Sequence, residues 1–241
     1  MAHFWQIVFY QPLFNLLVLI YNLVGGNMGL AIVVLTVVLK IVLYPLSGKA
    51  LKSQKALQEL QPKVDELKAR LGDKKELMAK ELMALYQKEK VSPFSSCLPL
   101  LVQLPFLFAL YQVFRSGLAS GSLELLYPFV HNPGHLADTF FVAWHLSSPS
   151  WVLGVLTAAA QYWQSKMLVT SKQSAVAGAK DEGMTAAMNK QMLYLLPAMT
   201  FFFSLTLPGG LILYWLVNTV LTIGQQYLTF RHPHAIKPSL S

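Results

Sequence analysis

The sequence predicts an all-α polytopic membrane protein, with five core transmembrane helices, a cytoplasmic helical hairpin and an N-terminal interfacial helix. Hydrophobic residues make up 54% of the 241 residues, and the mean hydropathy is +0.46. Charged residues make up only 12%, about half of the roughly 25% found in soluble domains. Of the 19 Lys and Arg residues, 11 lie between Lys49 and Lys90. These features indicate apolar membrane spans with one soluble, basic insert.

Residues 1–24 form the first element. Their apolar residues follow helical spacing, at Leu13, Leu16, Leu17, Ile20 and Val24. Polar residues interrupt this pattern, at Gln6, Gln11, Asn15 and Asn22. The segment either spans the membrane or lies in its interface, and we favour an interfacial amphipathic helix.

Five apolar segments then have nearly the ~20 residues that a helix needs to cross a bilayer. The predicted spans are 25–46, 97–115, 150–169, 190–207 and 210–228. The last two are separated by Pro208, and we expect Gly209 and Gly210 to adopt backbone angles that are closed to other residues.

Residues 47–92 have a different pattern, in which apolar residues recur every three or four positions. The outward series is Leu57, Leu60, Val64, Leu67 and Leu71, and the return series is Met78, Leu82 and Leu85. The segment therefore predicts a helical hairpin. Its lysines either set the topology and solubility alone or also bind a partner.

The distribution of Lys and Arg sets the orientation, because basic loops stay in the cytoplasm. The hairpin at 47–92, the loop at 170–189 and the tail at 229–241 are predicted to be cytoplasmic, and the loop at 116–149 extracytoplasmic. The N-terminus is then outside and the C-terminus inside. We expect a bacterial plasma membrane, since no signal peptide or organelle transit peptide is visible.

A lysine lies in the middle of the first span, in the sequence TVVLKIVLYP. A charge at a helix centre costs at least ~2.5–3.5 kcal/mol on insertion scales. Lys40 therefore either reaches the membrane surface or has a function. Thr36, Lys40 and Tyr44 recur every four residues, which puts them on one helix face.

Other spans carry similar polar stripes. The third has Thr157, Gln161 and Gln164, and the fifth has Tyr214, Asn218, Thr222 and Gln225. Such faces predict a wet groove where they converge, because lipid would penalise polar groups that faced outward. The candidate substrate-groove residues are Thr36, Lys40, Gln103, Gln161, Gln164, Tyr214, Trp215 and Asn218.

Two simpler interpretations stay open. Ser, Thr, Asn and Gln also form ordinary hydrogen bonds between packed helices. Lys40 lies roughly 9 Å from the inner helix end, so its side chain could reach the surface by snorkelling. No predicted span contains an acidic residue, and we therefore expect water or a negatively charged ligand at Lys40.

Three blocks of the sequence resemble the YidC-type membrane protein insertase family, in its short bacterial form without a large extracytoplasmic domain. They are NMGLAIVVLTVVLKIVLYPLSGKALKSQKALQELQPKVDELK, CLPLLVQLPFLFALYQVF and QMLYLLPAMTFFFSLTLPGGLILYWLVNTVLTIGQQ. They occur in the family's order over about residues 10–230. The resemblance implies the fold given above and a hydrophilic groove open to the cytoplasm and to lipid. Lys40 stands where the family commonly has arginine.

The resemblance implies a membrane protein insertase and chaperone that receives nascent hydrophobic segments and releases them into lipid. Its implied partners are nascent membrane proteins, membrane lipids, the ribosome through the hairpin, and the Sec translocon. The alternative is a small-solute or anion transporter that uses Lys40. We expect no enzymatic activity, cofactor, metal or specific DNA binding, because no nucleotide-binding motif is present and Cys97 is the sole cysteine.

Overall fold

The computed structural model describes residues 2–71, 74–89, 91, 98–117, 120–140, 144–168 and 191–231. Most of these residues are helical. The α-helices are α1 (Ala2–Trp5), α2 (Gln11–Leu23), α3 (Met28–Val42), α4 (Tyr44–Leu71), α5 (Lys75–Lys88), α6 (Leu98–Gln112), α7 (Trp151–Leu168), α8 (Leu196–Ser204) and α9 (Gly209–Arg231). The predicted loop at 170–189 and most of the predicted tail at 229–241 lie outside the described residues.

Short irregular elements connect the helices. Three are π-helical turns, at Gln6–Tyr10, Val113–Gly117 and Gln191–Leu195, and one is a 3-10 helix, at Ser120–Leu125. Two short antiparallel strands, β1 (Thr139–Phe140) and β2 (Trp144–His145), pair within the loop before α7. This β-ribbon was not expected from the sequence.

One helical stretch in the described residues is long and apolar enough to cross a membrane, and a bent helix pair is a second candidate only if it counts as one span. In the described part of the chain, His3–Leu23 meets this criterion as one helix. The pair α3 and α4 meets it together, with a bend of 69° between them. The number of five membrane spans therefore stays a prediction.

The turn between α2 and α3 follows directly from the local sequence. Gly25 and Gly26 have φ values of +72° and +79°, a region that glycine enters without steric cost. Asn27 then caps α3, because its side-chain oxygen accepts a hydrogen bond from the Leu30 amide at 2.9 Å. The chain thereby changes direction within a few residues.

The core lies where α2, α3, α6 and the start of α9 meet. Its fully buried members include Phe14, Leu17, Met28, Ile32, Leu35, Leu110, Leu146, Leu153, Leu211 and Ile212. Helix α9 also packs along α3 and α7, and α8 packs against α7. In the basic segment, α4 packs against α5, and ion pairs join Lys63 to Glu89 at 2.5 Å and Arg70 to Glu81 at 3.9 Å.

Together with the flanking residues Asp138 and 146–148, the β-ribbon closes one end of the helix bundle. We refer to all of these residues as the ribbon and to this end as the ribbon end. The first amides of α9 donate to the ribbon, from Gly209 to the Ser148 carbonyl and from Gly210 to the Leu146 carbonyl, both at 2.9 Å. Within the ribbon, the Ser147 hydroxyl donates to the Asp138 carboxylate, and this bond lowers the pKa of Asp138. Helix α3 also begins at this end, since Gly29 lies against the ring of Phe140.

The expectation of special backbone angles at Gly209 and Gly210 was wrong. Among the described glycines, only Gly25, Gly26 and Gly134 have positive φ. A Cβ atom at Gly209 would lie 2.9 Å from the Ser148 oxygen, and one at Gly210 would lie 2.7 Å from Cε1 of Phe114. These positions need glycine because the neighbouring atoms approach too closely for a side chain.

We predict opposite effects for two alanine substitutions in α9. Gly209→Ala should destabilise the protein by about 1–3 kcal/mol, because the new methyl group would displace backbone at the ribbon end. Gly224→Ala is the matched control, since no atom lies within 4 Å of its added Cβ, and it should be neutral or stabilise by up to ~1 kcal/mol. Thermal unfolding in detergent would measure both, and equal midpoints for the two variants would contradict the packing argument.

Candidate functional site

Three helices that start at the ribbon end carry polar residues to a similar level. Lys40 lies 12 residues into α3, Gln161 lies 10 residues into α7 and Thr222 lies 13 residues into α9. At 1.5 Å per residue these positions are roughly 15–20 Å from the helix starts. Lys40, Gln161 and Thr222 therefore form a polar layer at a similar distance from the ribbon end.

Lys40 is half-buried in this layer and bonds to a neutral partner. Its Nζ donates to Oγ1 of Thr222 at 2.7 Å, and that hydroxyl donates in turn to the Asn218 carbonyl at 2.7 Å. The ion pairs found among the described residues are those of Lys63, Arg70 and His145. Within the described ranges, the ammonium of Lys40 is therefore hydrogen-bonded but has no acidic partner.

Two buried glutamines next to this layer lack partners. Gln161 is 5% exposed, and its Oε1 accepts no hydrogen bond. Gln226 is 1% exposed, and neither polar atom of its side chain has a partner. A buried polar atom without a partner costs about 1–3 kcal/mol, so such sites are normally filled by water or by a polar group of a ligand.

Three predicted site residues already have their hydrogen bonds within the protein. Thr36 is buried, and its hydroxyl donates to the Ile32 carbonyl of its own helix at 2.6 Å. Gln103 donates to the hydroxyl of Tyr214, which is also buried. The Gln103–Tyr214 pair joins α6 to α9 near the ribbon end, so it is better placed to hold these helices together than to bind a ligand.

The other predicted residues, Gln164, Trp215 and Asn218, are half-buried on α7 and α9. The structure thus brings Lys40 and Asn218 close together through Thr222. Thr222 lay in the predicted polar stripe of the last helix but was not selected as a site residue. Gln226 lies one position beyond the end of that stripe at Gln225, so its sequence position gave only a weak signal.

The polar contacts of α9 continue away from the ribbon end, where its partner is α4. Ser47 and Gln225 exchange hydrogen bonds at 3.0 and 3.2 Å. About one and a half turns further along α9, the Phe230 carbonyl accepts a hydrogen bond from Nζ of Lys55 in α4 at 3.2 Å. Helices α3 and α4 are therefore connected to α9 by hydrogen bonds from Lys40 to Lys55.

No metal centre is visible in the described ranges, where no three His, Cys, Asp or Glu residues come together in a suitable arrangement. Among the residues that the structure describes, the arrangement instead offers the Lys40 ammonium without an acidic partner, the Thr222 hydroxyl and the buried amides of Gln161 and Gln226. Such groups attract and hydrate polar or acidic segments.

Comparison with known proteins identifies the family. Residues 19–235 match the family model described as 60Kd inner membrane protein. This chain belongs to that family. The assignment makes it a membrane protein, as its composition predicts.

Relatives in this family carry insertase names. The chain is 34% identical over 206 residues to a protein of Fusobacterium nucleatum named membrane protein insertase YidC, covering 86% of this chain and 87% of the relative. A Geobacter sulfurreducens protein of the same name is 38% identical over 223 residues, covering 92% of this chain but 37% of the relative. The family resemblance predicted from the three sequence blocks is thereby confirmed.

A solved structure is similar in three dimensions. It is an active YidC insertase with its first transmembrane domain resolved, and it matches with a TM-score of 0.65 and 27% identity. The alignment covers 92% of this chain and 46% of the solved chain. The chain therefore spans most of the Fusobacterium relative but less than half of the Geobacter protein and of the solved insertase.

We predict that the polar layer is wet. Single cysteines at Lys40, Gln161 and Asn218, with Cys97 replaced by serine, should react with a water-soluble thiol reagent despite their depth. Leu35 is the control, because it is fully buried in the apolar core, and a cysteine there should react at least tenfold more slowly. If all four thiols proved equally unreactive, the polar side chains would be dry interhelical contacts.

Proposed function

We propose that this chain is a membrane protein insertase and chaperone whose substrate groove is the polar layer around Lys40. A nascent hydrophobic segment enters from the cytoplasm and passes into lipid, alone or with the Sec translocon. The observation that carries the proposal is a half-buried lysine whose partner among the described residues is a neutral hydroxyl on α9, the helix that also carries the buried, unpartnered Gln226. The insertase names of the relatives support the same function.

The groove would act by lowering the cost of moving a polar segment across the bilayer. Water and the Lys40 ammonium would solvate the polar or acidic end of the client about halfway across, so the remaining apolar barrier is thinner. The apolar part of the client would meet lipid along α7 and α8, which expose large side chains such as Leu156, Trp163 and Phe202. Hydrophobic transfer itself would drive release.

We also propose the five-span topology, with the N-terminal helix lying in the interface. Trp5 donates to the Gln112 side chain at 3.1 Å, and Asn22 donates to the His131 carbonyl at 2.7 Å. Trp5 and Asn22 are 17 positions apart, roughly 26 Å along a helix. Both of their partners nevertheless lie at or after the end of α6, since Gln112 ends α6 and His131 lies in the loop after α6. A helix whose two ends contact the same end of the bundle lies across it, which supports the interfacial placement.

The proposed partners are nascent membrane proteins, lipids, the ribosome and the Sec translocon. The hairpin of α4 and α5 exposes Lys52, Arg70 and Lys80, which suit an RNA-rich or acidic partner. A transporter that uses Lys40 is the alternative, but the names of the relatives do not favour it. Solute uptake that depends on Lys40, without crosslinks to a client, would support the transporter.

A labelling experiment tests the topology. Cysteines at Ala69 in α4 and at His131 in the loop after α6 are both at exposed positions. In the proposed topology an impermeant reagent labels the His131 position from outside and the Ala69 position only after the cytoplasmic side is opened. Labelling of both positions from one side would overturn the five-span arrangement.

Charge substitutions test the role of Lys40. Lys40→Arg should keep activity, whereas Lys40→Ala and Lys40→Glu should lower insertion of clients with acidic translocated ends by about tenfold, the effect of ~1.4 kcal/mol. Clients without these charges should be less affected. Complementation of insertase-depleted cells, with variant protein levels measured in parallel, would provide the comparison.

Two variants serve as controls for this experiment. Thr222→Val removes the hydroxyl partner but keeps the charge, so it should stay active if charge is what matters. Lys49→Glu makes the same charge change at an exposed hairpin position and should spare acidic clients. If the Lys40→Glu variant is well expressed and inserts acidic clients normally, Lys40 does not act by attracting them. Its side chain would then simply reach the membrane surface by snorkelling.

A further inference from the structure

A cavity, which we call the Arg115 cavity, lies at the ribbon end of α6, away from the polar layer. Its volume is about 470 Å³, and it is lined by Trp5, Phe108, Tyr111, Gln112 and Arg115. None of these residues belongs to the proposed groove. The cavity combines one cation with aromatic walls, and the proposed insertase activity makes no use of it.

The walls of the cavity are held by contacts within the protein. The Trp5 indole donates to the Gln112 side-chain oxygen at 3.1 Å and stacks on Phe9 with ring centres 4.9 Å apart. Arg115 donates to the Tyr111 hydroxyl at 3.1 Å, and its guanidinium carbon lies 5.9 Å from the centre of that ring. The indole, the phenol and the guanidinium are therefore ordered around one space.

Arg115 keeps most of its binding capacity. It is exposed, and none of the ion pairs in the described part of the chain includes it. The acidic residue nearest to it in the sequence, Glu124, forms no ion pair with it. A guanidinium has five N–H donors, of which the Tyr111 bond uses one, and its planar fork suits the oxygens of a phosphate.

The surroundings of the cavity are apolar and exposed. Phe108, which lines the cavity, is 58% exposed, and Phe4, the residue before Trp5 in the chain, is 67% exposed. In a membrane protein such side chains face acyl chains. Trp and Tyr side chains with a nearby cation, at the end of an apolar helix, are typical of the level of lipid headgroups.

We propose that the Arg115 cavity binds an anionic glycerophospholipid, such as phosphatidylglycerol. The phosphodiester accepts hydrogen bonds from Arg115, and the acyl chains lie along the exposed ring of Phe108. A headgroup with its own ammonium is disfavoured, because the cavity lining includes a cation and no carboxylate. A bound lipid would fix the N-terminal helix against α6 through the contact between Trp5 and Gln112.

Native mass spectrometry of the purified full chain tests this site. The protein in detergent is titrated with phosphatidylglycerol and, separately, with phosphatidylcholine. The wild type should retain phosphatidylglycerol preferentially, and Arg115→Gln should weaken its retention by about tenfold, as expected for loss of a charge-assisted hydrogen bond. Arg70→Gln, which makes the same charge change in the hairpin, should bind phosphatidylglycerol like the wild type.

Further variants keep the outcome interpretable. Tyr111→Phe preserves the charge and releases one guanidinium donor, so it should retain the lipid. If Arg115→Gln unfolds, Arg115→Ala takes its place and is compared with Tyr111→Phe. Wild-type retention by Arg115→Gln or Arg115→Ala would overturn the site. An equal loss in Arg70→Gln would overturn it in favour of general charge attraction. Displacement of the lipid by equimolar glycerol 3-phosphate would identify a soluble phosphate site and overturn the lipid assignment.

Discussion

The attachment of α9 to the β-ribbon is the constraint on which the rest of the site depends. Two backbone amides at Gly209 and Gly210 donate to ribbon carbonyls, and these positions leave no space for side chains. Because α3 starts at the same end, the positions of Lys40 and Thr222 along their helices bring them to the same level. A shift of one helix by a single turn, about 5.4 Å, would separate the lysine from its hydroxyl partner.

The polar residues of the bundle divide into two groups by their hydrogen bonds. Gln103 and Tyr214 satisfy each other, and Thr36 satisfies its own helix. Gln161 and Gln226 do not have such partners, and Lys40 has a partner that leaves its charge uncompensated. In a low-dielectric interior, keeping Lys40, Gln161 and Gln226 away from water costs folding free energy. This difference separates residues that assemble the bundle from residues suited to receive a client.

The N-terminal helix shows how polar residues in an apolar segment can organise a membrane protein. Asn15 donates to the Leu125 carbonyl at 3.0 Å and accepts from the Tyr127 amide at 2.6 Å. Gln11 donates to the same Leu125 carbonyl at 3.1 Å. The residues that interrupt the apolar pattern therefore hold the loop after α6, while the apolar face packs on the core. These contacts also bring Trp5 to the same cavity as Arg115, which we have called the Arg115 cavity.

The sequence by itself determined the membrane class and the helical stripe that contains Lys40, because composition and periodicity are local properties of the chain, and the resemblance of three sequence blocks indicated the family. It also indicated Thr222 and Gln225 through polar side chains that recur every three or four residues. Only the tertiary structure decided which polar groups satisfy one another, since Gln103 and Tyr214 are 111 residues apart. The β-ribbon and the steric reason for Gly209 and Gly210 also required it, because both arise from contacts between segments that are distant in the chain.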